Sequence, residues 1–180
     1  MTEEAKMKHE IPVPDAVTAS FEDNTLQIKG EKGELSRVFS HPDFTISVTN
    51  DMISIQTKKS RKKQKALMGT YAAHINNMIH GVTNGFEYQM KTVYSHFPIK
   101  TNVEENMFVI QNFLGERNPR KALILDGVTV KAKGDDVTVE GIDKEKVGQT
   151  VSNIERATSV SRRDIRVFQD GIYLTSKGGD

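Results

Sequence analysis

The chain contains no cysteine, which removes disulfides, thiol nucleophiles and cysteine-based zinc sites together. An excess of charge of one sign is also missing. With 25 basic and 24 acidic residues the formal net charge is +1, so global charge gives a polyanion nothing to hold. Divided after Val93, the two parts carry 12 basic against 11 acidic residues and 13 against 13, and neither is a basic tail. No run approaches the roughly 20 apolar residues that cross a bilayer, and Met1-Thr2-Glu3-Glu4 has neither the basic start nor the apolar stretch of a signal peptide. These absences predict a soluble intracellular protein with no membrane partner.

Catalytic and metal-binding patterns are missing too. The histidines His9, His41, His74, His80 and His96 include no pair at i and i+4 and have no carboxylate at ligand spacing. Gly30-Glu31-Lys32-Gly33 lacks the fingerprints of dinucleotide and P-loop sites and reads as a turn. Glu104-Glu105 and Asp135-Asp136 fall in predicted turns, where carboxylates are solvated, and no serine occupies a nucleophile elbow. The expectation is a protein that is not an enzyme and holds no cofactor or metal.

What the sequence does contain is an internal repeat. Val17, Phe21, Glu22, Asn24, Leu26 and Ile28 match Ile99, Val103, Glu104, Asn106, Phe108 and Ile110 at a constant offset of 82, which also carries Gly33-Glu34 onto Gly115-Glu116. The same offset places Ile46 and Val48 on Val128 and Val130. Ile53 and Ile55 then match Val137 and Val139 after two extra residues in the second copy. Gly69 and Ile75 fall on Gly148 and Ile154 at an offset of 79, and Gly85-Phe86 falls on Gly171-Ile172.

Each copy reads as alternating strands, one helix and a last strand. Leu67, Tyr71, Ile75, Met78 and Ile79 share one face of the first helix. Val147, Val151, Ile154 and Thr158 do so in the second, with Asp143 as its N-cap. The predicted class is α+β: two tandem copies of a small, mostly antiparallel β-sheet, each covered by one α-helix. The repeats are expected at 10–93 and 94–175, with flexible termini at 1–9 and 176–180. Val93 to Thr101 is the expected join, too short for a flexible tether.

Function in a duplicated scaffold is sought where one copy holds residues the other lacks, because insertions fall in surface loops. The first copy has five extra residues within Lys58 to Lys65, and the second has seven within Thr158 to Asp170. Both segments are basic. Lys58, Lys59, Arg61, Lys62, Lys63 and Lys65 gather at the start of a helix, where the macrodipole already favours an anionic partner. Arg162, Arg163 and Arg166 can grip phosphate through two bonds or stack on unpaired bases, beside Phe168, Gln169 and Tyr173. Phe168 and Tyr173 could equally be core residues. Arg117, Arg120 and Lys121 form a third, weaker basic turn. This pattern points to RNA; the alternative is a protein-interaction module that recognises an acidic partner.

Three segments carry a family resemblance. VEGIDKEKVGQTVSNIE, Val139 to Glu155, resembles the signature of the sixth protein of the large ribosomal subunit, a universal family built from two copies of one α+β fold. RDIRVFQDGIY, Arg163 to Tyr173, and VYSHFPI, Val93 to Ile99, resemble its archaeal and eukaryotic branch, and compact length favours an archaeal origin. The likeness runs from about Ile11 to Tyr173. It implies a non-enzymatic constituent of the large subunit that binds ribosomal RNA near the sarcin-ricin stem, among neighbouring ribosomal proteins and close to where translation GTPases dock. It also implicates Lys144 and Gln149 within the signature, and Arg162, Arg163, Arg166 and Gln169 in the terminal segment.

Overall fold

A computed structural model describes residues 7–49, 52–57, 61–161 and 163–178. Lys58, Lys59 and Arg162 of the expected RNA-binding set lie outside these residues, as do 1–6 and 179–180 of the expected flexible termini. The remainder of those termini is strand: β1 begins at Met7 and the last strand runs to Gly178.

The chain divides into two compact units, 1–84 and 85–180. In the first, β1 (Met7–Pro12), β5 (Phe44–Thr49) and β6 (Met52–Thr57) form an antiparallel sheet in the order β1-β6-β5. A second sheet has the order β2-β3-β4, from Thr18–Glu22, Thr25–Gly30 and Gly33–Val38. Helix α1 (Lys62–Thr83) closes the core, burying Met68, Ala72, Ile75, Met78, Ile79 and Val82 against Ile11, Leu26, Ile28, Ile53 and Ile55.

The second unit repeats this plan with one addition. Strands β8 (Lys100–Glu104), β9 (Met107–Gln111) and β10 (Arg120–Leu123) make one sheet. The other has the order β11-β12-β7-β13, from Val128–Lys133, Asp136–Gly141, Phe86–Val93 and Gly171–Gly178. Helix α2 (Lys144–Ala157) buries Val147, Val151 and Ile154 against Phe108, Val137, Val139 and Ile172. Asp143 caps α2 as its sequence position predicts, its carboxylate accepting the Glu145 N–H at 2.9 Å. Each unit is therefore α+β, with two small sheets where one was expected.

Two details of the repeat differ from the sequence reading. Phe86–Val93, expected to close the first copy, lies between β12 and β13 in the second unit's sheet. The division consequently falls between Asn84 and Gly85, and the expected join Val93 to Thr101 lies inside the second unit. Alternation along β7 fixes which side chains turn inward but not which strands flank it, so the pattern alone could not assign the sheet.

The second difference is one of register. Ile46 faces Ile55 and Val130 faces Val139, so β5 corresponds to β11 at the same offset of 84 as β6 to β12. The two hairpins have turns of equal length, and the two extra residues of the second copy enter before β11. A shift of two preserves the inward face, which is why Ile46 could be set on Val128 without spoiling the alternation.

The first insertion is partly helix. Lys62, Lys63 and Gln64 form the opening of α1, which has 22 residues against 14 in α2. The far end of α1 is also longer: Val82 packs against Gly30, and the Lys32 N–H donates to the Val82 carbonyl at 3.0 Å.

Two glycines of this unit separate packing from propensity. A Cβ on Gly30 would stand 2.7 Å from the Val82 oxygen, whereas one on Gly69, inside α1, would meet nothing within 4 Å. Gly30→Ala should destabilise the protein by about 1–3 kcal/mol through overpacking. Gly69→Ala should stabilise it by about 0.5–1 kcal/mol, since Ala is the better helix former. Denaturant unfolding of both variants checks the opposite signs.

Candidate nucleic-acid interface

The second insertion leaves the C-terminal end of α2 and returns at β13. Its two ends are tied down differently. At the start, the Thr158 hydroxyl donates to the Ile154 and Glu155 carbonyls and accepts the Ile172 N–H at 3.1 Å, joining helix end to strand start. At the finish, buried Asp170 accepts the Ser95 N–H at 2.9 Å. Between these anchors, Asp164 organises a turn by accepting the Arg166 N–H on its side chain and the Val167 and Phe168 N–H groups on its carbonyl.

Arg120 fixes the first anchor from outside. Its Nη1 donates to the carbonyls of Ala157 and Ser159 at 2.9 and 3.0 Å, satisfying acceptors at the end of α2. Nε and Nη2 donate to the two carboxylate oxygens of Glu116 at 2.8 and 2.7 Å, and the guanidinium carbon lies 4.3 Å from the centre of the buried Phe113 ring. With 25% of its side chain exposed and all three nitrogens engaged, Arg120 is a clamp between the turn at Glu116 and the end of α2. Its hydrogen bonds hold the Glu116 carboxyl below the ordinary 4.5; desolvation opposes this, and the charges of Arg120 and Arg163 add to the fall.

The remaining expected residues separate into distinct settings. Arg163 is exposed, with its guanidinium 4.8 Å from the Phe168 ring centre. Arg166 is 87% exposed but paired through Nη2 and Nε with both oxygens of Asp164, at 2.9 and 3.1 Å. That side-chain pairing, followed by the hydrogen bond from the Arg166 N–H, lowers the Asp164 pKa. Arg166 must therefore exchange a carboxylate for any phosphate it takes, whereas the Arg163 guanidinium lies beside an aromatic ring. The Gln169 amide donates to the Arg166 carbonyl, and the Gln169 main-chain carbonyl accepts the Tyr173 hydroxyl at 3.1 Å. Arg117 is exposed in the loop before β10, and Lys121 is exposed on β10 next to Arg120.

Lys144 and Gln149 are not gathered with these arginines. Lys144 opens α2, its ammonium 5.5 Å from the Phe86 ring centre, about 20 Å of helix away from the insertion. Gln149 donates to Asn153, whose amide in turn donates to the Leu123 carbonyl. In the first unit, Arg61, Lys62, Lys63 and Lys65 are all exposed at the start of α1. That end has no acidic residue in its first turn and no side-chain cap, so its unbonded N–H groups and its cations add to one positive field.

Glu116 and the outward apolar pair Ile165 and Val167, at 67% and 69% exposed, belong to this surface but escaped the sequence reading. The first is revealed only by the tertiary approach of its turn to α2, and the second lies among arginines whose charge dominates the pattern. Among the described residues no cluster of histidine and carboxylate side chains could hold a metal ion, and no helix is long and apolar enough to cross a membrane.

Comparison with known proteins gives a consistent match across both repeats. The family model described as Ribosomal protein L6 matches residues 13–85 and 97–171. The large ribosomal subunit protein uL6 of Methanobrevibacter smithii is 49% identical over 173 residues, covering 96% of this chain and 97% of that protein. Its counterpart from Methanothrix thermoacetophila is 48% identical over 167 residues, covering 93% and 95%. That from Methanocella arvoryzae is 48% identical over 174 residues, covering 96% and 98%.

The clamp generates a stability prediction with a pH signature. Arg120→Lys keeps one charge but cannot serve Glu116 and two carbonyls at once, and should cost about 1–3 kcal/mol in denaturant unfolding. Because the Glu116 pKa is lowered on folding, the pair stabilises fully above the ordinary value and loses its contribution as pH falls through the depressed one. Glu116→Gln should therefore flatten the acid limb of stability against pH, and an unchanged limb would show that the pair adds nothing measurable.

Proposed function

The chain belongs to the ribosomal protein L6 family, and from that premise we propose that it is a cytoplasmic structural constituent of the large ribosomal subunit that binds ribosomal RNA. The observation that carries the reading is the family match over both repeats, joined to the likeness along nearly full length to proteins named as large-subunit components. The finer location follows the resemblance of Val139 to Glu155 and Arg163 to Tyr173: the sarcin-ricin stem, with neighbouring large-subunit proteins around it and the docking site of translation GTPases close by.

The two basic surfaces have separate tasks in this proposal. Lysines act on phosphate as point charges, so Lys58, Lys59, Lys62, Lys63 and Lys65, with Arg61, supply affinity with little regard to sequence. Arg163, with Arg162, Arg166 and Gln169, supplies contacts that depend on local RNA shape, supported by an aromatic ring and a turn held at both ends. Arg117 and Lys121 extend that surface; Lys144 and Gln149 would make a separate contact along α2. A near-neutral chain can bind RNA in this way because local clusters of cations act on phosphate whatever the net charge.

Co-sedimentation with purified large subunits at low and high salt tests the assignment: a stable bound fraction is expected, and a chain that stays free at low salt overturns it. Titration with the isolated sarcin-ricin region tests the location, which is wrong if that fragment binds no better than an unrelated RNA helix. Replacing Lys58, Lys59, Lys62 and Lys63 with Ala should lower the slope of log affinity against log salt by about 0.7–0.9 for each phosphate that these lysines neutralise. Arg163→Lys should instead reduce discrimination among RNAs, by about 1–3 kcal/mol if the contact is bidentate, with the slope nearly unchanged.

A further inference from the structure

Beneath the arginine segment lies an open cavity of about 350 Å³, lined among others by Glu155, Thr158, Val160, Ile165, Phe168 and Tyr173. We infer that it receives one unstacked RNA base bearing an exocyclic amino group; the inference rests on the RNA-binding reading and adds to it a site and a base preference. The space lies near the lower end of small-ligand pockets, which run from roughly 300 to 1,000 Å³. Its walls suit a flat heteroaromatic ring. Phe168 and Tyr173 supply aromatic surface to the lining, and Val160 and Ile165 supply aliphatic surface.

The walls are held in place before any ligand arrives. The Tyr173 hydroxyl is bonded to the Gln169 carbonyl, and the Thr158 hydroxyl is committed to the end of α2 and to Ile172. Ile165, at 67% exposed, leaves apolar surface at the rim that a base would cover. Arg163, over the Phe168 ring, puts a cation beside the cavity for the phosphate that travels with a base.

Selectivity comes from Glu155. Its Oε1 accepts the Leu174 N–H at 3.1 Å, which anchors the carboxylate at the cavity wall. A carboxylate has acceptor capacity beyond that one bond. Adenine, cytosine and guanine each carry an amino group able to donate to it, whereas uracil held in the same pose as cytosine would turn a carbonyl oxygen, in place of the amino group, toward a negative charge.

Titrating the full chain with AMP, CMP and UMP, followed by NMR of the Val160, Ile165 and Thr158 methyl groups, tests this directly. AMP and CMP should shift those signals saturably, with UMP binding at least about tenfold more weakly, the scale of one missing charge-assisted hydrogen bond. Glu155→Gln should bring UMP level with CMP, since an amide both donates and accepts. Ile165→Glu, at an exposed position where folding is little affected, should abolish the shifts. Phe168→Leu should weaken binding about 5- to 150-fold, the range for removing one stacking partner. Equal binding of UMP, shifts confined to the α1 lysines, or saturation by an arginine-rich peptide in place of nucleotides overturns the inference. If no nucleotide binds while Ile165→Glu still co-sediments like the unsubstituted chain, the base pocket is wrong and RNA binding stands; failure of the unsubstituted chain to co-sediment removes the premise itself.

Discussion

The backbone ladder on both sides of β7 is the constraint from which the rest of the second unit follows. Every peptide group buried in a sheet interior needs a partner, and β7 finds them on β12 and β13 simultaneously. Because its inward residues Phe86, Tyr88 and Met90 form the middle of the core, α2 has a continuous apolar floor to cover. Because β13 must reach the far edge of β7, the chain leaving α2 has to travel from helix end to sheet edge. The arginine segment is that path. The candidate interface thus occupies a connection that the sheet order itself demands, and its two anchors sit where the path leaves the helix and where it meets the strand.

Charge on this path is arranged by tertiary pairing, and composition alone would misjudge it. Arg120 and Arg166 each occupy a carboxylate, one as a clamp at the helix end and the other inside the turn it helps to form. Arg163 is also exposed, but it faces an aromatic ring. A near-neutral protein can in this way hold a small basic surface without a basic domain: Glu116 takes up the structural Arg120, and exposed arginines stand beside it. The opening of α1 uses the opposite arrangement, with cations gathered at a helix end that has no acidic residue in its first turn.

Much of the fold was legible because duplication writes the same physical requirements twice. Positions such as Leu26 and Phe108, or Ile75 and Ile154, are fully buried in both units, and a residue type demanded at two places declares itself in a single sequence. What could not be read follows from the limits of periodicity. A period of 2 identifies an inward face but is blind to an even slip, hence the displaced match of Ile46, and to the identity of neighbouring strands, hence the assignment of β7. The basic insertions were legible as breaks in the offset. The commitment of Arg120 was not, since its acceptors Ala157 and Ser159 lie 37 and 39 residues away and are main-chain carbonyls that any sequence would supply.

The junction at Asn84-Gly85 has a bearing on how the protein is made. The first unit is complete once α1 has emerged, with β7 following almost at once. Yet the strand that pairs first along β7 in sequence, β12, begins only at Asp136, more than 40 residues after β7 ends at Val93. At synthesis rates of about 5–20 residues per second, β7 spends roughly 2–9 seconds outside the exit tunnel with an apolar face and two unsatisfied edges. The nascent chain therefore passes through a stage in which one half is native and the other exposes a sticky strand, the state in which a chaperone holding extended apolar segments would have most effect.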